Sequence, residues 1–421
     1  MAQRRPRGDG SVRGRVTDVV ATYGEVMGAR RMVAIDSGGH FSPSDPTPAV
    51  GMRLEMLEEL VGAGLRTTFP FTLDPRAPLH LDGLRLNEDE RAGFLAEARD
   101  VPRYHELMLA LGLRDADAYT CTPYLAEVGN RPQRDAVVVW SESSCVIYAN
   151  SVLGARTNRT PAILDLFSNI LGCTPEFGLL TDEGRRATWL VDLRLRRIPQ
   201  PQVLGAFIAQ RVVCDVPYIA GLDDLLGPGL TSTSDDYLKE MGAACAAVGG
   251  AIGLMHVEGI TPEAVDDGRT LLTPGHRRLV IDDDALDELS SSYRAGAGSS
   301  PPERCVVGCP HLSLAELKWW VRTLEARLEA SARERVAVET ILAAAPQVIA
   351  ELLADHDWAG RVRRIGLVLS PACLETFLDN PASARRPTVT TSNKLRAYTS
   401  AQLVDADELV AIAANDRTRP A

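Results

Sequence analysis

Apolar residues recur along this chain in two alternating rhythms. A three-to-four-residue spacing predicts helices over residues 16–28 and 53–64, the second placing Leu54, Leu57, Leu60 and Val61 on one face and stopping at a glycine. Further helices are predicted over 103–113, 161–171, 202–210 and 406–414, and an alanine-rich one over 237–248 is suited to close approach by a neighbour. Ser313 and Glu316 have the spacing of a capping box, which opens another helix. Between these lie short runs rich in β-branched residues. They predict strands over 32–35, 65–71, 136–140, 177–180, 188–195, 251–257, 305–311 and 367–369. Helix alternating with strand predicts the α/β class, in several subdomains.

Turn-rich stretches punctuate the pattern. Segment 36–49, DSGGHFSPSDPTPA, directly follows a strand and offers Asp36, Ser37, His40 and Ser42 as contacts. LDDLLGPGLTSTSDD reads as a subdomain crossing, 290–304 as a flexible linker, and 388–394 as a late loop. The basic start, residues 1–13, has no hydrophobic segment behind it and reads as a disordered tail ahead of a body spanning 14–421.

A chain of 421 residues with 45% apolar and 24% charged residues can bury a large core. Its formal charge of -11 argues against a broad nucleic-acid or anionic-membrane surface, so any anion site is local. No apolar run is long enough to span a bilayer. Eight cysteines without regular spacing read as reduced thiols in a cytoplasm.

Chemistry is densest over 119–159, YTCTPYLAEVGNRPQRDAVVVWSESSCVIYANSVLGARTNR. Its strand ends in Glu142, Ser143 and Ser144, which are cap-type side chains, and the carboxyl end of an inner strand is where α/β proteins place ligands. Asn150, Ser151, Arg156, Thr157, Asn158 and Arg159 then crowd donors together, and arginine forks suit carboxylates or phosphates. Surface ion pairs are the plainer reading of the two arginines. Cys121, Cys309 and Cys373 each lie in a short turn near a proline, but no Cys-x-x-Cys is present, and scattered cysteines are commonly buried small hydrophobes. Cys305, Cys309 and His311 make only part of a zinc set. His256 and His311 read as structural or as tuning a site, and Lys239 as a cap or a partner of an acid.

The strings YTCTPYL, WSESSCVIYANSVLGARTNR, LKEMGAACAAVGGAIGLMHVEGITPEA, GCPHLSLAEL and TTSNKLRAY occur in this order and resemble the aconitase X family in its large, catalytic component, from about Val16 onward. The resemblance implies α/β units around a central cleft, an aconitase-like body without the swivelling small domain. The implied activity is dehydration of a small hydroxy acid such as cis-3-hydroxy-L-proline or phosphomevalonate. Cys121, Cys309 and Cys373 match the family's iron ligands, for an iron-sulfur cluster or mononuclear iron. Three thiolates leave one metal position open for a substrate hydroxyl. Glu142, Ser143 and Lys394 match the catalytic group, and Asn150, Ser151, Arg156, Thr157, Arg159, Glu263 and Ser392 the substrate pocket. Arg156, Arg159 and Lys394 would hold a carboxylate or phosphate, while Glu142, Ser143, Asn150, Ser151 and Thr157 orient the substrate. The base, a serine on the small domain, would come from a separate small subunit. Pro371-Ala372 and Thr390-Thr391 depart from the family pattern, and Cys145 stands where a small apolar residue is usual. A second reading is a diverged, non-catalytic subunit that binds a small acid or a partner protein.

Overall fold

Parallel strands carry this fold. The computed structural model describes residues 9–42, 54–76, 81, 83–248, 252–295 and 300–415. Strands β1 (Met32–Ala34), β2 (His40–Phe41), β3 (Thr72–Leu73) and β4 (Cys173–Pro175) make two small sheets, β1 antiparallel to β4 and β2 parallel to β3. Strands β5 (Ala187–Arg194), β6 (Pro217–Ala220), β7 (His256–Val257) and β8 (Leu272–Asp282) form a parallel sheet in the order β7-β6-β5-β8. Strands β9 (Arg304–Leu312), β10 (Glu339–Ala344), β11 (Val368–Ser370), β12 (Thr388–Thr390) and β13 (Gln402–Leu403) form another, in the order β11-β10-β9-β12-β13.

Parallel neighbours need crossovers, and helices supply them. Pro201–Val212 joins β5 to β6, Ser232–Ala247 lies between β6 and β7, and Leu314–Ala330 joins β9 to β10. Strands covered on both faces are mostly apolar, and β6 and β10 are buried at every position, the buried Glu339 that opens β10 being paired with Arg304. The alanine-rich helix does approach its neighbour closely. A Cβ at Gly205 would stand 2.2 Å from the Met241 carbonyl oxygen, which restricts that position to glycine. Ala243, Ala244 and Ala246 are fully buried on the same helix.

Several expected elements take other forms. Residues 65–70 are not a strand: the Thr67, Thr68 and Phe71 amides bond singly to Leu111, Asn169 and Gly112, so no ladder forms, and pairing starts at β3. Residues 178–180 make a 3-10 turn, with the Leu180 amide on the Phe177 carbonyl. The run 136–140 makes isolated bridges, Val137 with Arg156 and Trp140 with His40. Only His256–Val257 of the expected 251–257 strand pairs, and Ala251 lies outside the described residues. The supposed crossing loop contains the short helix Asp223–Leu226, and the late loop is β12 followed by the helix Asn393–Tyr398. Helix Asp283–Ala295 takes up the start of the segment read as a linker, whose residues 296–299 lie outside the described residues. The N-terminal helix starts at Val12, with the Ser11 hydroxyl accepting the Gly14 amide, and residues 1–8 of the supposed tail also lie outside. Among the described residues no helix is long and apolar enough to cross a membrane.

Candidate active site

The five-stranded sheet delivers its chemistry at the carboxyl ends of its strands, the usual ligand edge of parallel sheets. Cys373 follows β11, and Ser392 and Lys394 follow β12. β9 contributes from its interior. Its register with β10 jumps from Val307 opposite Leu342 to Leu312 opposite Ala344, so residues 308–311 bulge out against Ala343. The sequence there, Gly-Cys-Pro-His, explains the bulge. Pro310 cannot donate to a ladder, and Gly308, at φ +112°, has the Ala343 carbonyl oxygen 2.2 Å from where a Cβ would stand. The bulge turns Cys309 and His311 into a cleft of about 410 Å³.

Cys121, Cys309 and Cys373, from three separate segments of the chain, all line that cleft. Burial raises each thiol above its ordinary pKa; the neighbouring thiol adds to this, Cys309 acting on Cys121 and Cys373 on Cys309. His311 orients the first. Its amide donates to Cys121 Sγ at 3.2 Å, and its ring lies 3.3 Å from the Ala372 carbonyl through Nε2 and 3.1 Å from Thr120 Oγ1 through Nδ1. A carbonyl can only accept, so Nε2 carries the proton and Nδ1 accepts from Thr120. Burial pulls this imidazole down to about 4, which keeps it neutral. Cys305 turns away into a separate apolar core with Val307 and Leu317, so the partial zinc set does not assemble. Among the described residues no three His, Cys, Asp or Glu side chains stand in a closed metal-holding arrangement.

Facing the thiols is an ion pair. Glu142 caps the helix Ser143–Ser151 by accepting the Cys145 amide at 2.7 Å and the Ser144 hydroxyl at 2.5 Å, and Lys394 Nζ donates to its Oε1 at 2.9 Å. Burial, the largest single influence, would raise this carboxyl, but Lys394, Ser144 and the Cys145 amide together outweigh it and hold Glu142 at about 2. Lys394 is raised well above its usual value: burial opposes, and Glu142, Cys309 and Glu375 prevail. Asp74 goes the other way. Burial raises it and the Glu142 charge adds, against a hydrogen bond from His40 Nε2 at 3.1 Å. The cleft therefore holds one carboxylate pinned in its charged form and one pushed toward its proton.

Ser143 lines the cleft and donates to Glu142 at 3.2 Å, and Ser392 bonds to Cys309 while capping its own helix through the Leu395 amide. Arg159 lies within electrostatic reach of Glu142 and Tyr398. The other expected pocket residues sit behind the helix. Asn150 donates to the Thr157 and Gly253 carbonyls at 2.8 Å each and accepts from the Thr157 amide and Arg185 at 3.0 Å. Ser151 accepts the Met255 amide, Thr157 the Trp140 amide, and Glu263 the Arg185 guanidinium at 2.6 Å. Arg156 pairs with Asp182 at 2.6 Å. None of these five lines the cleft. His256 Nε2 lies 2.8 Å from the Arg185 carbonyl, and Lys239 pairs with Glu316 under the bulge. His40 and Ser42 do reach the site, His40 through Asp74 and Ser42 directly, whereas Asp36 bonds the Val137 amide and residues 43–49 lie outside the described residues.

Sequence reasoning missed Asp74, Arg76, Tyr104, Tyr119, Glu375 and Asp379, all on the cleft wall. A second hollow, of about 440 Å³, holds Arg197 and Arg294, but these pair with Asp283, Asp287 and Asp405, and no thiol lines it.

The family model described as the aconitase X first domain matches residues 7–183, and the one described as the aconitase X second domain matches 187–291. This chain belongs to the aconitase X family. The phosphomevalonate dehydratase large subunit of Methanothermobacter thermautotrophicus is 36% identical over 304 residues, 72% of this chain and 70% of that protein. The cis-3-hydroxy-L-proline dehydratase of Pseudomonas aeruginosa is 29% identical over 395 residues, 90% of this chain but 62% of that one. The crystal structure of Thermococcus kodakaraensis aconitase X in its holo-form superposes with a TM-score of 0.78 at 27% identity, covering 96% of this chain and 95% of that one. The two sequence relatives are named dehydratases, and the family models end at residue 291, ahead of the five-stranded sheet that bears Cys309, Cys373 and Lys394.

Proposed function

We propose that this chain is the iron-bearing large subunit of a two-chain hydro-lyase that eliminates water from a small hydroxy acid such as cis-3-hydroxy-L-proline or phosphomevalonate. The observation that carries this reading is the meeting of Cys121, Cys309 and Cys373 in the cleft that also holds Glu142 and Lys394. The donor set fits iron in kind: three thiols whose burial and mutual repulsion disfavour the thiolate are relieved by a bound cation. An iron or iron-sulfur group held by these three supplies Lewis acidity to the hydroxyl that leaves.

The chain's own residues do the rest. Lys394 presents its remaining N–H donors to the substrate and Ser143, whose proton goes to Glu142, presents an acceptor, so Glu142 fixes both by hydrogen bonds. Asp74, raised toward neutrality, exchanges a proton more readily than an ordinary aspartate. Ser392 sets Cys309, and Arg159 adds positive charge near Glu142. Asn150, Ser151, Thr157 and, through Arg185, Glu263 act as positioning residues that hold the helix Glu142 caps, while Arg156 ties the segment after it to Asp182.

The test is anaerobic purification followed by iron and sulfide analysis. Wild type is expected to retain iron and Cys309→Ala to lack it, with dehydration following iron content once the small subunit is present. The second reading, a non-catalytic subunit that binds a small acid or a partner, rests on Pro371-Ala372, which bring neither an acid nor a hydroxyl beside Cys373. Metal-free wild type under those conditions favours it instead.

A further inference from the structure

Arg76 stands on the cleft wall between β3 and Cys373, whose amide donates to its carbonyl at 2.7 Å. Its guanidinium lies 3.7 Å from the centre of the Tyr119 ring and 5.6 Å from that of Tyr104, a flat, partly apolar setting. Its polar partner is His105 Nδ1 at 3.2 Å, an atom that also receives the Tyr119 hydroxyl at 2.8 Å. A ring nitrogen facing two donors is an acceptor, so this imidazole brings Arg76 no negative charge. Arg76 Nε is buried with no hydrogen-bond partner, and among the described residues no carboxylate pairs with this guanidinium.

Arg76 is half-buried, and the fully buried arginines are treated differently. Arg185 is tied to Glu263, and Arg304 to Glu90 and Glu339. The other cation of the cleft is also committed, Lys394 lying 2.9 Å from Glu142 and 3.6 Å from Glu375. A partly desolvated guanidinium without a counter-ion costs stability, and a ligand anion offsets that cost. We propose that Arg76, laid on Tyr119 in the cleft that the three thiols line, is the subsite for the substrate's anionic group, taking one carboxylate or phosphate through the donors its neighbours leave unused. This rests on the reading of the cleft as a hydroxy-acid site and names the residue that selects for the acid.

Two measurements on the full chain test it. The first is protection of wild type, Arg76→Met and Arg76→Lys against thermal unfolding by inorganic phosphate and by acetate. Wild type is expected to show saturable protection that Arg76→Met loses and Arg76→Lys, which keeps the charge but not the fork, shows only in part. Protection by phosphate alone points to a phosphorylated acid, and protection by acetate alone to a carboxylate. The second is steady-state dehydration by the assembled two-chain enzyme. KM is expected to rise about ten- to a hundredfold in Arg76→Met, the range for a lost charge-assisted contact, with kcat changed less than about threefold and iron content unchanged. Equal protection of wild type and both variants, no protection of any, or an unmoved KM overturns the assignment. Arg76-dependent protection in a chain that never dehydrates leaves the subsite standing while the hydro-lyase reading fails. Dehydration indifferent to Arg76 does the reverse.

Discussion

At the scale of single residues the ion pair between Lys394 and Glu142 makes the sharpest claim. Glu142 is held at about 2 against an ordinary 4.5, so the stability it contributes is complete above about pH 4.5 and is lost as pH falls toward 2. Lys394 is raised from 10.5, so its contribution is complete below that value and is lost only as pH climbs past its folded pKa. Removing one partner of a buried pair costs about 3–5 kcal/mol, because the other charge stays buried. Lys394→Met is therefore expected to lower Tm at neutral pH and to move the acid side of the Tm profile upward, since Glu142 loses the cation that kept it charged. Adding Glu142→Gln should return part of the loss. If Lys394→Met unfolds along the wild-type acid curve, the pair does not hold the cleft. Glu142, Lys394, Cys121 and Cys309 were legible as neighbours because each sits in a distinctive string, whereas Cys373, beside the departure at Pro371-Ala372, had only its place after a short strand to mark it. Asp74 and Arg76 were not: they lie in a short Asp-Pro-Arg turn with no pattern, and their character comes from burial against Glu142, Tyr119 and Tyr104.

At the scale of elements the helix Ser143–Ser151 joins the two sheets' chemistry. Its first turn presents Glu142 and Ser143 to the cleft, and its last turn is clamped through Asn150 to the Thr157 backbone, the Gly253 carbonyl and Arg185. Asn150→Ala removes the donor to the Thr157 and Gly253 carbonyls and the acceptor of the Thr157 amide and of Arg185, which keeps the Leu179 carbonyl, at about 1–3 kcal/mol for each buried group left unsatisfied. The expected outcome is a lower Tm by calorimetry with KM of the folded enzyme unchanged. A raised KM at unaltered Tm would return Asn150 to the substrate-contact role that its sequence neighbourhood suggested. The helices were mostly legible because a 3.6-residue apolar stripe survives any tertiary context. Strands were harder. Leu65 to Phe71 has the composition of a strand, but its amides find partners one at a time on other segments, and only the fold reveals where they are. β8 was overlooked for the opposite reason: LTPGHRRLVID carries Pro, Gly and two arginines, which an edge strand tolerates because one side of its ladder is open.

At the scale of the whole molecule the question is what completes the cleft. It draws its walls from the loop after β3, the turn around Cys121, the cap of the Ser143–Ser151 helix, the β9 bulge and the ends of β11 and β12. Those segments converge on the thiols and on one committed ion pair, and the most proton-ready carboxyl among them, Asp74, is engaged by His40. The phosphomevalonate dehydratase relatives that match along about 70% of their length are named large subunits, and the Pseudomonas aeruginosa cis-3-hydroxy-L-proline dehydratase extends well beyond the 62% that this chain matches. Elimination needs a base on the carbon next to the leaving hydroxyl, and a missing general base slows a reaction by about 10²- to 10⁴-fold. The isolated chain is therefore expected to bind iron yet to dehydrate at least about a hundredfold more slowly than the same chain titrated with a small swivelling-domain protein. Activity should saturate at one equivalent of that protein, and the two should co-elute on gel filtration. Full turnover by the chain alone would mean that Asp74, or another group already on the cleft wall, is the base, and the two-chain arrangement would fall with it.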